Sequence, residues 1–140
     1  MSQIRPKLGA IAVVIHDGRA LLVRRKNEPD AGKWGFAGGH VEWGETAFDA
    51  AARELEEETG VLATALRYLT NVDVILRDDA GDVTFHCLLA AVECRYESGT
   101  PFAADDVNDA AWFAIEDVAA LDKSDRVDEM IRLVSGSNAP

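Results

Sequence analysis

Cysteine is scarce in this chain: Cys87 and Cys94 are the only two, seven residues apart, and no second Cys or His cluster completes a zinc spacing. That pattern argues against a redox or metal role, and two free buried thiols are expected. Long apolar runs are missing as well. Residues 8–15 are apolar but far too few to span a bilayer, and they run into His16-Asp17 without a small-residue cleavage site. They read as a buried strand, and with no export signal the expected compartment is the cytoplasm. Basic residues are in the minority, since 14 Lys and Arg against 25 Asp and Glu leave a net charge of -11. That balance opposes non-specific binding to nucleic acid or to an anionic membrane surface, so neither is an expected partner. A phosphate-bearing ligand would need local cationic help.

What is present fits one folded unit. A chain of 140 residues makes a single domain, 1–140, that buries roughly two thirds of its unfolded surface. Its 48% hydrophobic and 28% charged residues lie near globular averages, which argues against disorder. No internal repeat is visible.

Residues 8–15 and 20–25 are apolar, partly β-branched runs separated by His16-Asp17-Gly18-Arg19, where Asp-Gly predicts a β-hairpin. Residues 26–33 carry Pro29, Asp30 and Gly32 and read as a loop, followed by a short apolar run at 34–37 and a tight turn at Gly38-Gly39. A helix is predicted over 46–59, because Thr46 and Asp49 have the capping-box pattern and Gly60 stands where a left-handed C-cap belongs. Residues 72–76 and 83–92 are strand candidates joined by a polar turn. Residues 97–109 read as a polar loop, 110–115 as a last strand, 124–134 as an amphipathic helix and 135–140 as a frayed tail. Strands before, between and after two helices predict an α+β or α/β fold with a mixed sheet and helices on its faces.

Within the predicted helix, Glu54, Glu57 and Glu58 stand at i, i+3 and i+4 and share one face. Like charges so placed cost an isolated helix a few tenths of a kcal/mol per pair, roughly 0.2–0.5, so a cation among them is expected. Phe48, Ala52 and Leu55 fall on a neighbouring stripe, read as the core side, while Ala47, Ala50 and Ala51 lie under the acids and would let the helix press close to a sheet or glycine loop. Taken alone, three such glutamates would describe a solvated face.

The surroundings add a pattern: Gly39, five residues, Glu45, seven residues, Arg53-Glu54, Leu55, one residue, Glu57-Glu58, one residue, Gly60, Val61. At roughly 7% usage for each of the seven fixed positions, chance yields this about once in 10⁸ start sites. The stretch resembles the signature of the Nudix hydrolases. The likeness extends over nearly the whole chain, through Leu21-Leu22-Val23-Arg24-Arg25, the loop containing Glu28-Pro29, Trp34, and later Trp112-Phe113 before a short helix.

That resemblance implies a mixed sheet sandwiched between helices, and hydrolysis of a nucleoside diphosphate linked to another group with Mg²⁺ or Mn²⁺. It implies Glu54, Glu57, Glu58 and the Gly39 carbonyl as metal ligands, with the glutamates carrying the catalysis, and Glu45 and Arg53 as supports that orient them. Hard divalent ions take oxygen ligands, which suits carboxylates shared with a diphosphate. Family members differ in the acid that deprotonates water; here the candidates are Glu54, Glu57 and the loop acids Asp105, Asp106 and Asp109. Many members carry proline at the position of Ala37, whose absence removes a backbone constraint but no ligand.

Outside this stretch, Arg24 and Arg25 are candidates for binding phosphate, although adjacent strand residues point to opposite faces and only one can reach it. Trp34 and Phe36 are candidates to stack on a base. The expected substrate is a small nucleotide, ADP-ribose or a similar nucleotide sugar first, with an oxidised nucleoside triphosphate, cleared by a diphosphohydrolase, as the alternative. A non-catalytic nucleotide sensor would be expected to lack a carboxylate of this pattern, and none is lacking. A homodimer is retained as an option.

Overall fold

The computed structural model describes residues 4–105 and 107–137. Strand β1 (Lys7–Val13) has small residues, Gly9, Ala10 and Ala12, where neighbours must come close on every side. It pairs in parallel with β7 (Val83–Ser98) and antiparallel with β5 (Gly38–His40), while the long strand β6 (Leu62–Arg77) completes the sheet in the order β5-β1-β7-β6. A second sheet holds β2 (Ile15–His16), β3 (Arg19–Arg25) and β4 (Trp34–Gly35), with β8 (Val107–Ala114) on the other edge of β3.

Alternation sends successive side chains to opposite faces, and two cores result. Ala10, Ala12, Leu21 and Val23 pack with Ala50, Ala51 and Leu55 of helix α1 (Ala47–Thr59). Val13, Ala20 and Leu22 pack on the opposite side with Val118 of α2 (Ile115–Val118) and with Val127, Met130 and Ile131 of α3 (Val127–Ser137). The mixed sheet between helices is therefore present, as an α+β arrangement with two sheets.

Several local expectations change. The Asp17-Gly18 turn exists, with φ of 51° and 73°, but it joins β3 only to the two-residue β2. The chain leaves β1 at the buried Val14, and β1 pairs in the other sheet. Gly38 and Gly39 form strand β5 rather than a turn, because β1 supplies a backbone partner that local sequence does not reveal.

The hairpin β6–β7 is confirmed around residues 78–82 but is longer than expected, 16 residues in each strand. Its added length, 62–71 and 93–98, mixes apolar and polar residues: Ala63, Ala65, Cys94 and Tyr96 pack toward the core, while Arg67 Nε donates to Glu93 Oε1 at 2.7 Å on the outside. Strand β8 begins at Val107, so the loop before it is shorter than 97–109. The last helix starts at Val127, not 124, since the Ser124 N–H donates to the Trp34 carbonyl and Arg126 takes φ 72°. Residues 135–137 continue that helix instead of fraying, and residues 138–140 lie outside the described residues.

Candidate active site

Helix α1 is bounded as its sequence predicts. The Thr46 hydroxyl accepts the Asp49 N–H at 3.1 Å, and Gly60 at φ 77° returns its N–H to the Glu56 carbonyl. Its most buried face is not the Phe48–Ala52 stripe. Those two are half-buried, with Phe48 stacked on Tyr68, whereas Ala50, Ala51, Leu55 and Glu58 turn fully inward. Alanines admit the strands at this distance, and the acidic side of the helix comes with them.

The two glycines of β5 have close neighbours on β1 and on α1. A Cβ on Gly38 would overlap the Ala10 carbonyl, and one on Gly39 would stand 2.5–2.7 Å from the carboxyl atoms of Glu54. Neither glycine has a left-handed φ. Their missing side chains, not turn formation, are what this place requires.

Four acids converge there. Glu54, Glu57 and Asp105 each bring one carboxylate oxygen within 4.8 Å of the other two. Glu58, 6% exposed, lies beside them in the same cleft and accepts the Gly38 N–H at 3.1 Å. Burial pushes the Glu58 carboxyl up to about 8; Glu54 and Asp105 add to the shift, while the Gly38 N–H and Arg25 oppose it. Burial also raises Glu54, against the pull of Arg53.

Arg53 is the cation among them. Its Nε and Nη2 fork onto Glu45 at 2.7 and 2.9 Å, Nη1 reaches Glu54 at 2.9 Å and Glu57 at 3.2 Å, and Nη2 also donates to the His40 carbonyl at 3.0 Å. This fork holds Glu45 down to about 2, first through the side-chain hydrogen bond and then through the Glu42 N–H. In return Glu45 holds the guanidinium above its ordinary value. Each planar donor edge is used, which a lysine cannot reproduce.

The acid cleft has a volume of about 360 Å³ and is lined by Arg25, Lys26, Asn27, Gly38, Gly39, His40, Glu42, Glu54, Glu58 and Asp105, among others. A second cavity of about 420 Å³ adjoins it, with Ile11, Phe36, Val72, Val74, Leu89 and Met130 among its walls. The two share Arg25, Gly38, Gly39 and His40. A polar, oxygen-lined compartment and a more apolar one thus flank strand β5.

The other expected residues divide. Arg25 stands at the junction, its Nε held by the Pro29 carbonyl at 2.6 Å, while Arg24 is exposed with its guanidinium 6.0 Å from the Trp34 ring. Trp34 lines neither cavity; it meets Phe113 edge-on at 4.8 Å in the core, which corrects its expected stacking role. Phe36 is a buried wall of the apolar cavity. Among the loop acids, Asp105 joins the cluster at φ 54°. Asp109 faces Arg24 in the β3–β8 register, caps the Ala110 N–H and lines neither cavity, and Asp106 lies outside the described residues. His40 and Lys26 were not anticipated. Lys26 continues the Arg24-Arg25 charge run, which was a usable signal, whereas His40 acts through its backbone and carries none.

Carboxylate oxygens alone make this donor set, which suits a hard divalent ion such as Mg²⁺ or Mn²⁺ and not a soft one. Known proteins resemble this chain over most of its length. An ADP-ribose pyrophosphatase of Methanocaldococcus jannaschii is 30% identical over 118 residues, 84% of this chain and 68% of that protein. An oxidized purine nucleoside triphosphate hydrolase of Danio rerio is 34% identical over 112 residues, 80% of this chain and 69% of that one. The crystal structure of a MutT NUDIX hydrolase from Burkholderia pseudomallei superposes with a TM-score of 0.76 at 30% identity, covering 94% of this chain and 99% of the other. Residues 5–134, from before the first strand to the last helix, match the NUDIX domain, and with the acid helix and its glycine strand in place the chain belongs to that family.

Proposed function

We propose that this chain hydrolyses the pyrophosphate bond of a nucleoside diphosphate derivative with Mg²⁺ or Mn²⁺, and that its substrate is ADP-ribose or a similar nucleotide sugar. The observation that carries this reading is the acid cluster within 4.8 Å beside Gly38–His40, the strand that also walls a largely apolar cavity. Glu54, Glu57 and Glu58, with the Gly39 carbonyl, would hold the metal. When bound, a divalent ion neutralises phosphate charge, polarises phosphorus and lowers the pKa of water.

The chain's own residues do the rest. Arg53 and Glu45 fix the glutamate carboxylates so that little reorganisation is needed. Arg25, held by Pro29 at the junction, meets a phosphate there with its remaining donors, offsetting the negative charge of the cleft. Glu54, Glu57 or Asp105 takes the proton from the attacking water. The apolar cavity takes the base and ribose, away from bulk solvent. The single domain 1–140, a cytoplasmic setting and an optional homodimer belong to the same proposal; among the described residues no helix is long and apolar enough to cross a membrane.

A second reading, hydrolysis of oxidised nucleoside triphosphates, draws on the Danio rerio relative and needs the same acids with a different fit in the apolar cavity. A panel of ADP-ribose, dinucleotides and oxidised triphosphates, each with Mg²⁺ and with Mn²⁺, separates the two. ADP-ribose should give the highest kcat/KM. Preference for an oxidised triphosphate would favour the second reading, and equal, low rates on all would sink the ADP-ribose assignment.

A further inference from the structure

Helix α1 ends at Thr59, and the last carbonyls of a helix find no donor within it. Here the loop after β7 supplies donors: the Ala104 N–H reaches the Glu58 carbonyl at 3.0 Å and the Phe102 N–H the Thr59 carbonyl at 3.1 Å. The start of the loop is pinned too, since the Tyr96 hydroxyl donates to the Gly99 carbonyl at 2.7 Å. A Cβ on Gly99 would stand 2.9 Å from the Gly60 carbonyl oxygen and 3.2 Å from Val61 Cα. Loop and helix end touch backbone to backbone.

Phe102 lies on that contact. A Cβ on Gly60 would overlap its ring at Cε1 and stand 3.0 Å from Cζ. The ring is 59% exposed, so core burial does not explain its place. Gly60 already serves as the left-handed C-cap; its bare surface also provides the seat for an aromatic ring.

Three residues beyond Phe102 stands Asp105, whose carboxylate joins Glu54 and Glu57. Its φ of 54° is left-handed, a conformation uncommon for a non-glycine residue. The tethers at Phe102 and Ala104 precede it directly, and the Ala104 bond ends on the backbone of Glu58 itself.

We propose that Phe102, seated on Gly60, is a positioning residue that sets the loop at 99–105 against the end of α1 and so delivers Asp105 to Glu54 and Glu57. The inference rests on the metal-dependent reading of the acid cleft. Loop and helix then form one preorganised set of acids instead of two independent segments.

The test is a mutant cycle on Mn²⁺ binding to the metal-free protein, measured by calorimetry, with thermal unfolding and turnover recorded on each variant. Phe102→Ala and Asp105→Asn should each weaken Mn²⁺ binding by about tenfold, the lower end of what a supporting partner is worth. The double variant should bind no more weakly than Asp105→Asn alone, and Phe102→Leu should recover most of the affinity. Additive losses in the double variant would overturn the proposal, as would wild-type binding by Phe102→Ala or by Asp105→Asn. Should Phe102→Ala fail to fold, the same cycle run with Gly60→Ala, whose methyl takes the seat of the ring, decides the matter by the same criterion. Glu57→Gln serves as the reference: if it also keeps wild-type affinity, the metal reading itself falls, whereas loss there with none in Phe102→Ala removes only the positioning role.

Discussion

Arg53 shows how one residue turns a repulsive cluster into an ordered one. Its guanidinium touches Glu45, Glu54, Glu57 and the His40 carbonyl at once, so two helix carboxylates, the acid that precedes the helix and strand β5 share a common reference point. The adjoining glycines divide the work between site and fold. In Gly39→Ala the nearest atoms to the new methyl are the movable carboxyl end of Glu54, so activity should fall by about tenfold or more while the melting temperature changes little. In Gly38→Ala the methyl meets the Ala10 carbonyl and Ile11 Cα, backbone that cannot step aside. Thermal unfolding should show a loss of about 1–3 kcal/mol there, the usual cost of overpacking. Glu58 supplies a pH dependence. Burial lifts its carboxyl to about 8 from 4.5, so the metal-free folded state holds a proton that the unfolded chain has already released. Its contribution to metal-free stability is full below about 4.5 and is lost as pH rises through about 8. Metal binding must displace that proton, so calorimetric Mn²⁺ affinity should climb with pH up to about 8 and level off above it. Affinity flat from pH 6 to 9 would contradict the assignment of Glu58.

Among the elements, α1 is the one whose limits stand in its own residues. Thr46 and Gly60 make local bonds to the helix they bound, so no distant partner has to be known. Thr46→Ala should cost about 1 kcal/mol and lower the melting temperature by about 3 °C, with metal affinity unchanged because the cap lies two turns from Glu54. Strand β5 was illegible for the opposite reason. Gly38-Gly39 has the local chemistry of a turn, and only the pairing with β1, some thirty positions away, makes it a strand. The outer parts of β6 and β7 are not legible because several register shifts interrupt their pairing and pairs such as Arg67–Glu93 hold it across the strands, which local sequence does not reveal. The loop acids were equivalent by sequence. Register separates Asp105 from Asp109, since β8 places Asp109 opposite Arg24 while the tethers to α1 bring Asp105 to the cluster. Arg24 and Arg25 part in the same way, one over Trp34 and one at the junction of the cavities.

On the scale of the molecule, two cores on opposite faces hold the sheets while the acids gather at one end of α1 and the strand beside it. A net charge of -11 opposes anionic ligands at long range, so the metal and Arg25 must reverse the field locally. The metal should therefore act on the whole fold: at a hundredfold excess over its Kd, Mg²⁺ or Mn²⁺ should stabilise the native state by about 2.7 kcal/mol, with a chelator returning the melting temperature to its metal-free value. A melting temperature indifferent to both would mean that the acids hold no ion in the folded state. The most direct measurement is turnover of ADP-ribose by Glu57→Gln at saturating Mg²⁺. The variant keeps the size of the side chain and removes its charge at an exposed position, so the fold should persist. A drop in kcat beyond about a hundredfold, more than a supporting partner is worth, is expected of a residue that holds the ion. Wild-type turnover would place the chemistry elsewhere than on this helix.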